Sequence, residues 1–373
     1  MRDVVIIGAG AIGLLTAREL SAEGLDVTLI ERGACAGESS WAGGGIVSPL
    51  YPWRYSDAVT ALASQAQHSY PALCASLLEE TGIDPEFEPC GLLMLEAEDA
   101  AEAMHWARRS RRSMQKAERE VIYEREPRLS DDFSRGLWMP DVANVRNPRL
   151  CRALQQSLTR LPQVDVLEHT QVEGFERDGD RIQAVQLRGP DGPARIAAGQ
   201  VVVCAGAWSG TLLRELSLEL PVEPVKGQML LYEMEAPQLR CMILHKGRYL
   251  IPRRGGQLLV GSTLEHQGFD KQPSNSALQS LRESAARMLP MLADLPVKQQ
   301  WAGLRPGAPG GVPFIGALPG FQNLFVNAGH YRNGLVLAPA SARLLADLVI
   351  GRAASLDPAP YAPARRIQSD TPG

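Results

Sequence analysis

The chain has 373 residues and a formal net charge of −4, from 38 Lys and Arg against 42 Asp and Glu. That balance excludes a polyanion-coating protein, which needs a net basic footprint, and so argues against a nucleic-acid partner. A hydrophobic fraction of 45% with 21% charged residues is ordinary globular composition, and the length allows two or three domains.

The six cysteines, at 35, 74, 90, 151, 204 and 241, are widely spaced and form no CxxC. A zinc ribbon and a thioredoxin-like pair are therefore excluded, and the scatter reads as packed thiols of a reducing cytoplasm. The longest apolar run, residues 4–15, is interrupted by three glycines and falls short of the roughly 20 residues of a transmembrane helix. Behind Arg2 it mimics a signal-peptide core, but its glycine spacing has a better explanation.

Val4-Val5-Ile6-Ile7 is a β-branched run suited to a strand buried on both faces of a parallel sheet. Gly8-Ala9-Gly10-Ala11-Ile12-Gly13 follows, then a helical pattern, a stop at Gly24 and a second strand ending at Glu31. Strand, GxGxxG, helix, strand and acid, in that order, form a dinucleotide fingerprint. Gly8 permits the tight turn, Gly10 lets backbone approach a pyrophosphate, and Gly13 lets the helix lie close on the strand. Amides at the helix start face the phosphates. Glu31 accepts from ribose hydroxyls and disfavours a 2′-phosphate, despite the adjacent Arg32.

Residues 38–49 are polar, then glycine-rich, with neither helical nor strand period. Such a segment lets backbone run along an extended ligand, as FAD requires, or else forms a flexible surface loop. Residues 58–81 carry helical spacing interrupted by Pro71; residues 91–96 read as a strand and 99–120 as one charged helix. The arginines at 108, 109, 111 and 112 in that helix are flanked by acids and read as a solvated face. Asn147-Pro148 offers an N-cap followed by proline at the first helical position, opening a helix to about residue 161.

Short strands are expected at 164–167, 171–177, 182–188 and 200–204, the last running into the small-residue turn Ala205-Gly206-Ala207. Strands at 222–234, 248–254, 257–263 and 297–305 read as an antiparallel sheet, with a hairpin at Gly255-Gly256. A strand at 323–327, Gly329-His330-Tyr331-Arg332-Asn333-Gly334 and a helix from about 335 to 350 follow. Prolines at 358, 360, 363 and 372 predict an extended or disordered tail over 355–373. The fold class is α/β (α+β overall): a Rossmann-like FAD-binding domain, over 1–82, 146–212 and 306–354, interleaved with an antiparallel-sheet substrate domain over 83–145 and 213–305.

The fingerprint with Glu31, the 39–46 loop, Cys204-Ala205-Gly206-Ala207-Trp208-Ser209, Trp301-Ala302-Gly303-Leu304-Arg305-Pro306 and the Gly329–Gly334 motif resemble the D-amino acid oxidase superfamily over nearly the whole chain. Within it the chain is similar to the glycine oxidases, flavoenzymes associated with thiamin thiazole synthesis. The resemblance implies FAD contacts at Ala11, Ile12, Glu31, Arg32, Ser39, Ser40, Gly44, Gly45 and Ile46, and at Val172 through its backbone. It implies further contacts along His330, Tyr331, Arg332, Asn333, Gly334, Leu335 and Val336. Tyr249 and Arg305 are implied to hold a substrate carboxylate, with Arg332 lining the site. Related sarcosine oxidases tether flavin to a carboxy-terminal cysteine; this chain has none after Cys241, so FAD is expected to bind noncovalently.

The implied activity is oxidation of glycine, other small amines or D-amino acids to the imine and oxo acid, with oxygen reduced to hydrogen peroxide. A dehydrogenase of the same fold passing electrons to a quinone is the alternative. No general base is obligatory if the amine binds neutral, and the six histidines show no paired ligand spacing, so no metal is expected. His330 reads equally as functional or as packed. No segment suggests membrane docking, and the sequence leaves a homo-oligomer open.

Overall fold

Val4 to Ile7 alternate between two cores: Val4 and Ile6 pack on one face of a sheet, Val5 and Ile7 on the other. A strand with no polar residue in this stretch can satisfy both faces only in the middle of a covered sheet. The computed structural model, which describes residues 2–367, places Arg2–Ile7 there. The sheet has eight strands, with the order Phe314–Ala317, Leu324–Ala328, Gly192–Val203, Arg2–Ile7, Val27–Ile30, Val164–Leu167 along its main path. Pairing is parallel along this path except at Phe314–Ala317. The antiparallel hairpin Gln171–Asp178 and Arg181–Gly189 extends from Gly192–Val203. Helices Ala11–Ala22, Asp57–Thr81 and Gly334–Val349 cover one face.

A second eight-stranded sheet runs Gln299–Gly307, Glu223–Glu233, Gln257–Gly261, Arg248–Pro252, Met242–His245, Leu92–Leu95, Arg135–Met139, Gln115–Glu118. It is antiparallel except where Leu92–Leu95 meets Met242–His245. Leu230, Leu250 and Val260 pack with Leu281 of helix Asn275–Met288, whereas Met229, Tyr249, Ile251 and Leu259 point the other way. The period of two thus gives the sheet one structural face and one face toward the first sheet. The division of the chain into two interleaved domains at the boundaries given above stays our proposal.

Several expectations are corrected. Residues 99–120 are not one helix: Ala100–Arg109 ends before Arg111, which takes φ 53°, and Gln115–Glu118 pairs with Arg135–Met139. Asn147 does not cap its helix, because its side-chain amide donates instead to the Ser40 carbonyl at 3.1 Å. Pro71 lies inside a continuous 25-residue helix. The tail is not extended or disordered over 355–367: Tyr361 is buried and donates to the Ala58 carbonyl at 2.7 Å, between two short 3-10 turns. Residues 368–373 of that expected tail lie outside the described residues.

Candidate active site

The first strand ends at Gly8 (φ 105°), and helix Ala11–Ala22 turns back so closely that a Cβ on Gly13 would collide with the Gly8 carbonyl oxygen. Only glycine allows this approach, which leaves the first-turn amides without partners inside the helix. The Ala11 amide donates to Ser40 Oγ at 2.9 Å, which brings the 38–49 segment against the helix start. Glu31 lies at the end of the second strand, its two carboxylate oxygens accepting from the Ala9 and Gly33 amides at 3.0 Å each.

The glycine-rich segment is not a free loop. Ser39 Oγ donates to the Leu304 carbonyl at 2.7 Å, and Trp301 Nε1 donates to the Ala42 carbonyl at 3.0 Å, so both ends lean on the edge strand of the second sheet. Arg253, buried behind it, donates to the carbonyls of Gly44 and Val145 at 2.8 Å each. Gly45 (φ 77°) packs there with no room for a Cβ, which would collide with the Val145 carbonyl.

Between the sheets lies one continuous cavity of about 450 Å³. Its wall includes Gly8, Gly10, Ala11, Ile12, Glu31, Arg32, Ser39, Ser40, Gly44, Gly45, Ile46 and Val172. It also includes Tyr249, Arg305, His330, Tyr331, Arg332, Gly334, Leu335 and Val336. Gly13 and Asn333, named from the sequence, stand behind the wall. Helix Gly334–Val349 starts at the cavity and turns the positive end of its dipole toward it. Sequence reasoning missed Ser48, Leu50, Asn147, Met229, Ser262 and Asn327 in this wall. Asn147 and Asn327 each bury a side-chain oxygen with no donor among the described residues.

Those orphaned acceptors test the fit of a dinucleotide. FAD carries ribityl and ribose hydroxyls and a flavin N–H as donors, and its phosphates suit the helix start beside Gly10. The residues present fit the group.

At the substrate-sheet end, Arg305 Nη1 donates to the carbonyls of Thr263 (3.1 Å) and Lys226 (3.3 Å), and Nη2 donates to Ser262 Oγ (2.7 Å). All three acceptors are neutral. Burial lowers the guanidinium pKa, and the positive charge of nearby Arg332 adds to that. The acids in the cavity wall, Glu31, Glu38 and Glu215, form no ion pair with Arg305 or Arg332. Tyr249 is buried beside Arg305, and its hydroxyl donates to the Met229 thioether at 3.2 Å, a weak acceptor. His330 is buried with Nε2 3.1 Å from Ser341 Oγ, and burial pushes its pKa down to about 3. The ring is packed against Ser341 and also stands in the cavity wall, so its position serves both readings of the sequence.

The family described as FAD dependent oxidoreductase matches residues 3–348. The chain is 57% identical to a glycine oxidase of Pseudomonas aeruginosa, over 98% of this chain and 99% of that protein. It is 32% identical to a bifunctional protein ThiO/ThiG of Trichormus variabilis, over 94% of this chain and 53% of that protein. The crystal structure of glycine oxidase from Geobacillus kaustophilus superposes with a TM-score of 0.91 at 30% identity, covering 98% of this chain and 99% of that one.

Proposed function

The chain belongs to the FAD-dependent oxidoreductase family, and from that premise we propose that it oxidises glycine and other small amines or D-amino acids. The product imine hydrolyses to the oxo acid and ammonia, and oxygen is the electron acceptor, leaving as hydrogen peroxide. One observation supports this most: two guanidinium groups, Arg305 and Arg332, face a common cavity, and among the described residues no carboxylate is paired to either. A buried cation without a counter-ion is costly, and a substrate carboxylate supplies the missing charge.

FAD, when bound, accepts the hydride equivalent from the substrate Cα. The protein's part is orientation. Arg305 offers a planar fork for two carboxylate oxygens, and the Tyr249 hydroxyl turns from the Met229 thioether to donate to the same group. Arg332 adds a second positive charge. Fixing the carboxylate aims the Cα–H bond, and such positioning lowers a barrier by several kcal/mol. Among the described residues no carboxylate pairs with Arg305 or Arg332 to act as a base at the clamp, so the amine enters neutral or sheds its proton to water.

The reading also includes noncovalent FAD, a cytoplasmic location and a place beside thiamin thiazole synthesis, as the resemblance implies. Among the described residues no helix is long and apolar enough to cross a membrane. The test is anaerobic: glycine, sarcosine or D-alanine should bleach the visible spectrum of the FAD-loaded protein, and admitting oxygen should restore it with stoichiometric peroxide. Bleaching without reoxidation by oxygen, reversed only by quinone-like dyes, moves the enzyme to the dehydrogenase reading.

A further inference from the structure

A second cavity of about 630 Å³ lies beside the first, and Ser48 belongs to the wall of both. One face of helix Asp57–Thr81 lines it, together with the C-terminal end of helix Ala100–Arg109 and the turn that follows. The mechanism proposed above uses none of this.

Three groups in its wall carry or can acquire positive charge: His68, Arg111 and Arg112. None of their side chains hydrogen-bonds or ion-pairs within the described residues, although the chain's other arginines are widely paired. Asp141 is the one acid in the wall; it acts on Arg112 through its charge but stays outside ion-pair distance. Trp106 Nε1 is buried in the same wall with no acceptor. A buried donor left unmade costs about 1–3 kcal/mol, a penalty the indole N–H carries, and the half-buried Arg112 and exposed Arg111 stand beside it, so ligand oxygens bearing negative charge would answer all three. Space on this scale suits an organic molecule rather than a bare ion.

The wall is also wired to the active site. Gln67, in the cavity wall, donates through Nε2 to the Val47 carbonyl at 2.7 Å. Val47 precedes Ser48, and Gly45, Ile46, Ser48 and Leu50 of this irregular segment line the first cavity.

We propose that this cavity binds a small organic anion, a carboxylate or phosphate ester, through Arg111, Arg112 and the Trp106 indole N–H, and that its occupancy shifts substrate affinity through Gln67 and the Val47–Ser48 segment. The linkage is reciprocal: an anion that tightens substrate binding is itself bound more tightly when substrate is present.

The experiment titrates FAD-loaded enzyme calorimetrically with succinate, glycerol 3-phosphate and inorganic phosphate, against sodium chloride at matched ionic strength. At least one of the organic anions should bind in excess of chloride and change KM for glycine about fivefold. Comparing succinate with glycerol 3-phosphate distinguishes the two anion sources. Arg111→Met with Arg112→Met should weaken binding at least about tenfold with basal turnover unchanged. Trp106→Phe keeps the ring and should weaken it about threefold to tenfold. Arg305→Leu should leave it intact, which separates this site from the carboxylate clamp. The proposal is overturned if no organic anion exceeds chloride, if the double variant binds as well as the parent, if binding disappears in Arg305→Leu, or if bound anion leaves KM unmoved.

Discussion

Arg305 Nη2 donates to Ser262 Oγ at 2.7 Å, so the arginine assigned to the substrate is itself held by a serine from the neighbouring part of the sheet. Two carbonyls complete that hold on the Nη1 side. Neutral acceptors fix the direction of the fork without cancelling its charge. Removing the Ser262 hydroxyl takes away one of three restraints, worth about 0.5–1.5 kcal/mol. Ser262→Ala should therefore raise KM for glycine roughly twofold to twelvefold, with kcat and FAD content nearly unchanged, and Ser262→Thr should restore much of it. Steady-state kinetics on the three proteins would show it; an unchanged KM in Ser262→Ala means the carbonyls alone orient the fork.

Replacing Arg305 itself is a larger change. Arg305→Leu leaves the substrate carboxylate without its charge-assisted partner, a loss of about 2–5 kcal/mol, or roughly 30- to 5,000-fold in kcat/KM. Arg305→Lys should recover only part, because a point charge does not reproduce the planar fork. An amine lacking the carboxylate should be oxidised no worse by the variant than by the parent. Near-normal kcat/KM for glycine in Arg305→Leu would move the anchor to Arg332.

Glu31→Lys tests the other end of the cavity. The carboxylate holds the Ala9 and Gly33 amides and keeps lone pairs toward the cavity, so the lysine loses both backbone contacts and any ribose contact. Hydrogen bonds to a charged group contribute about 1.5–3 kcal/mol each, so FAD should bind at least roughly 10- to 150-fold more weakly. Equilibrium dialysis or flavin fluorescence measures this directly. Unaltered affinity would remove Glu31 from the cofactor site.

The amino-terminal βαβ unit was legible because its signals agree: an all-apolar strand, three glycines at fixed spacing, a helix period and a closing acid. Gln115–Glu118 was not, since an edge strand reading Gln-Lys-Ala-Glu shows neither alternation nor β-branching, and its charged neighbours imitate a helix. Met242–His245 offers only three apolar residues before its histidine, too short a run to distinguish from buried coil. Tyr249 and Arg305 entered through family resemblance, whereas Ser262 and Arg253 carry no local signal. Their roles arise from where strands far apart in the chain are brought together, which no spacing encodes. The tail misled for a similar reason: its prolines read as disorder, but Tyr361 finds a buried slot against the Asp57–Thr81 helix.

The last prediction concerns acid stability. His330 has a pKa of about 3 in the folded protein against 6.5 for the free side chain, because burial excludes the charged form. Below pH 6.5 the unfolded chain therefore takes up a proton that the folded chain refuses. The contribution is complete above pH 6.5 and is lost toward pH 3 at up to about 1.4 kcal/mol per pH unit, which amounts to about 2 kcal/mol at pH 5. His330→Gln keeps a polar group able to meet Ser341 but cannot titrate. Urea unfolding at pH 7.5 and pH 5 should show the parent losing about 2 kcal/mol more than the variant across that interval. Because the ring stays neutral throughout, kcat/KM between pH 5 and 8 should carry no limb that disappears in His330→Gln. Parallel losses of stability in the two proteins would show that the acid sensitivity of this fold lies elsewhere.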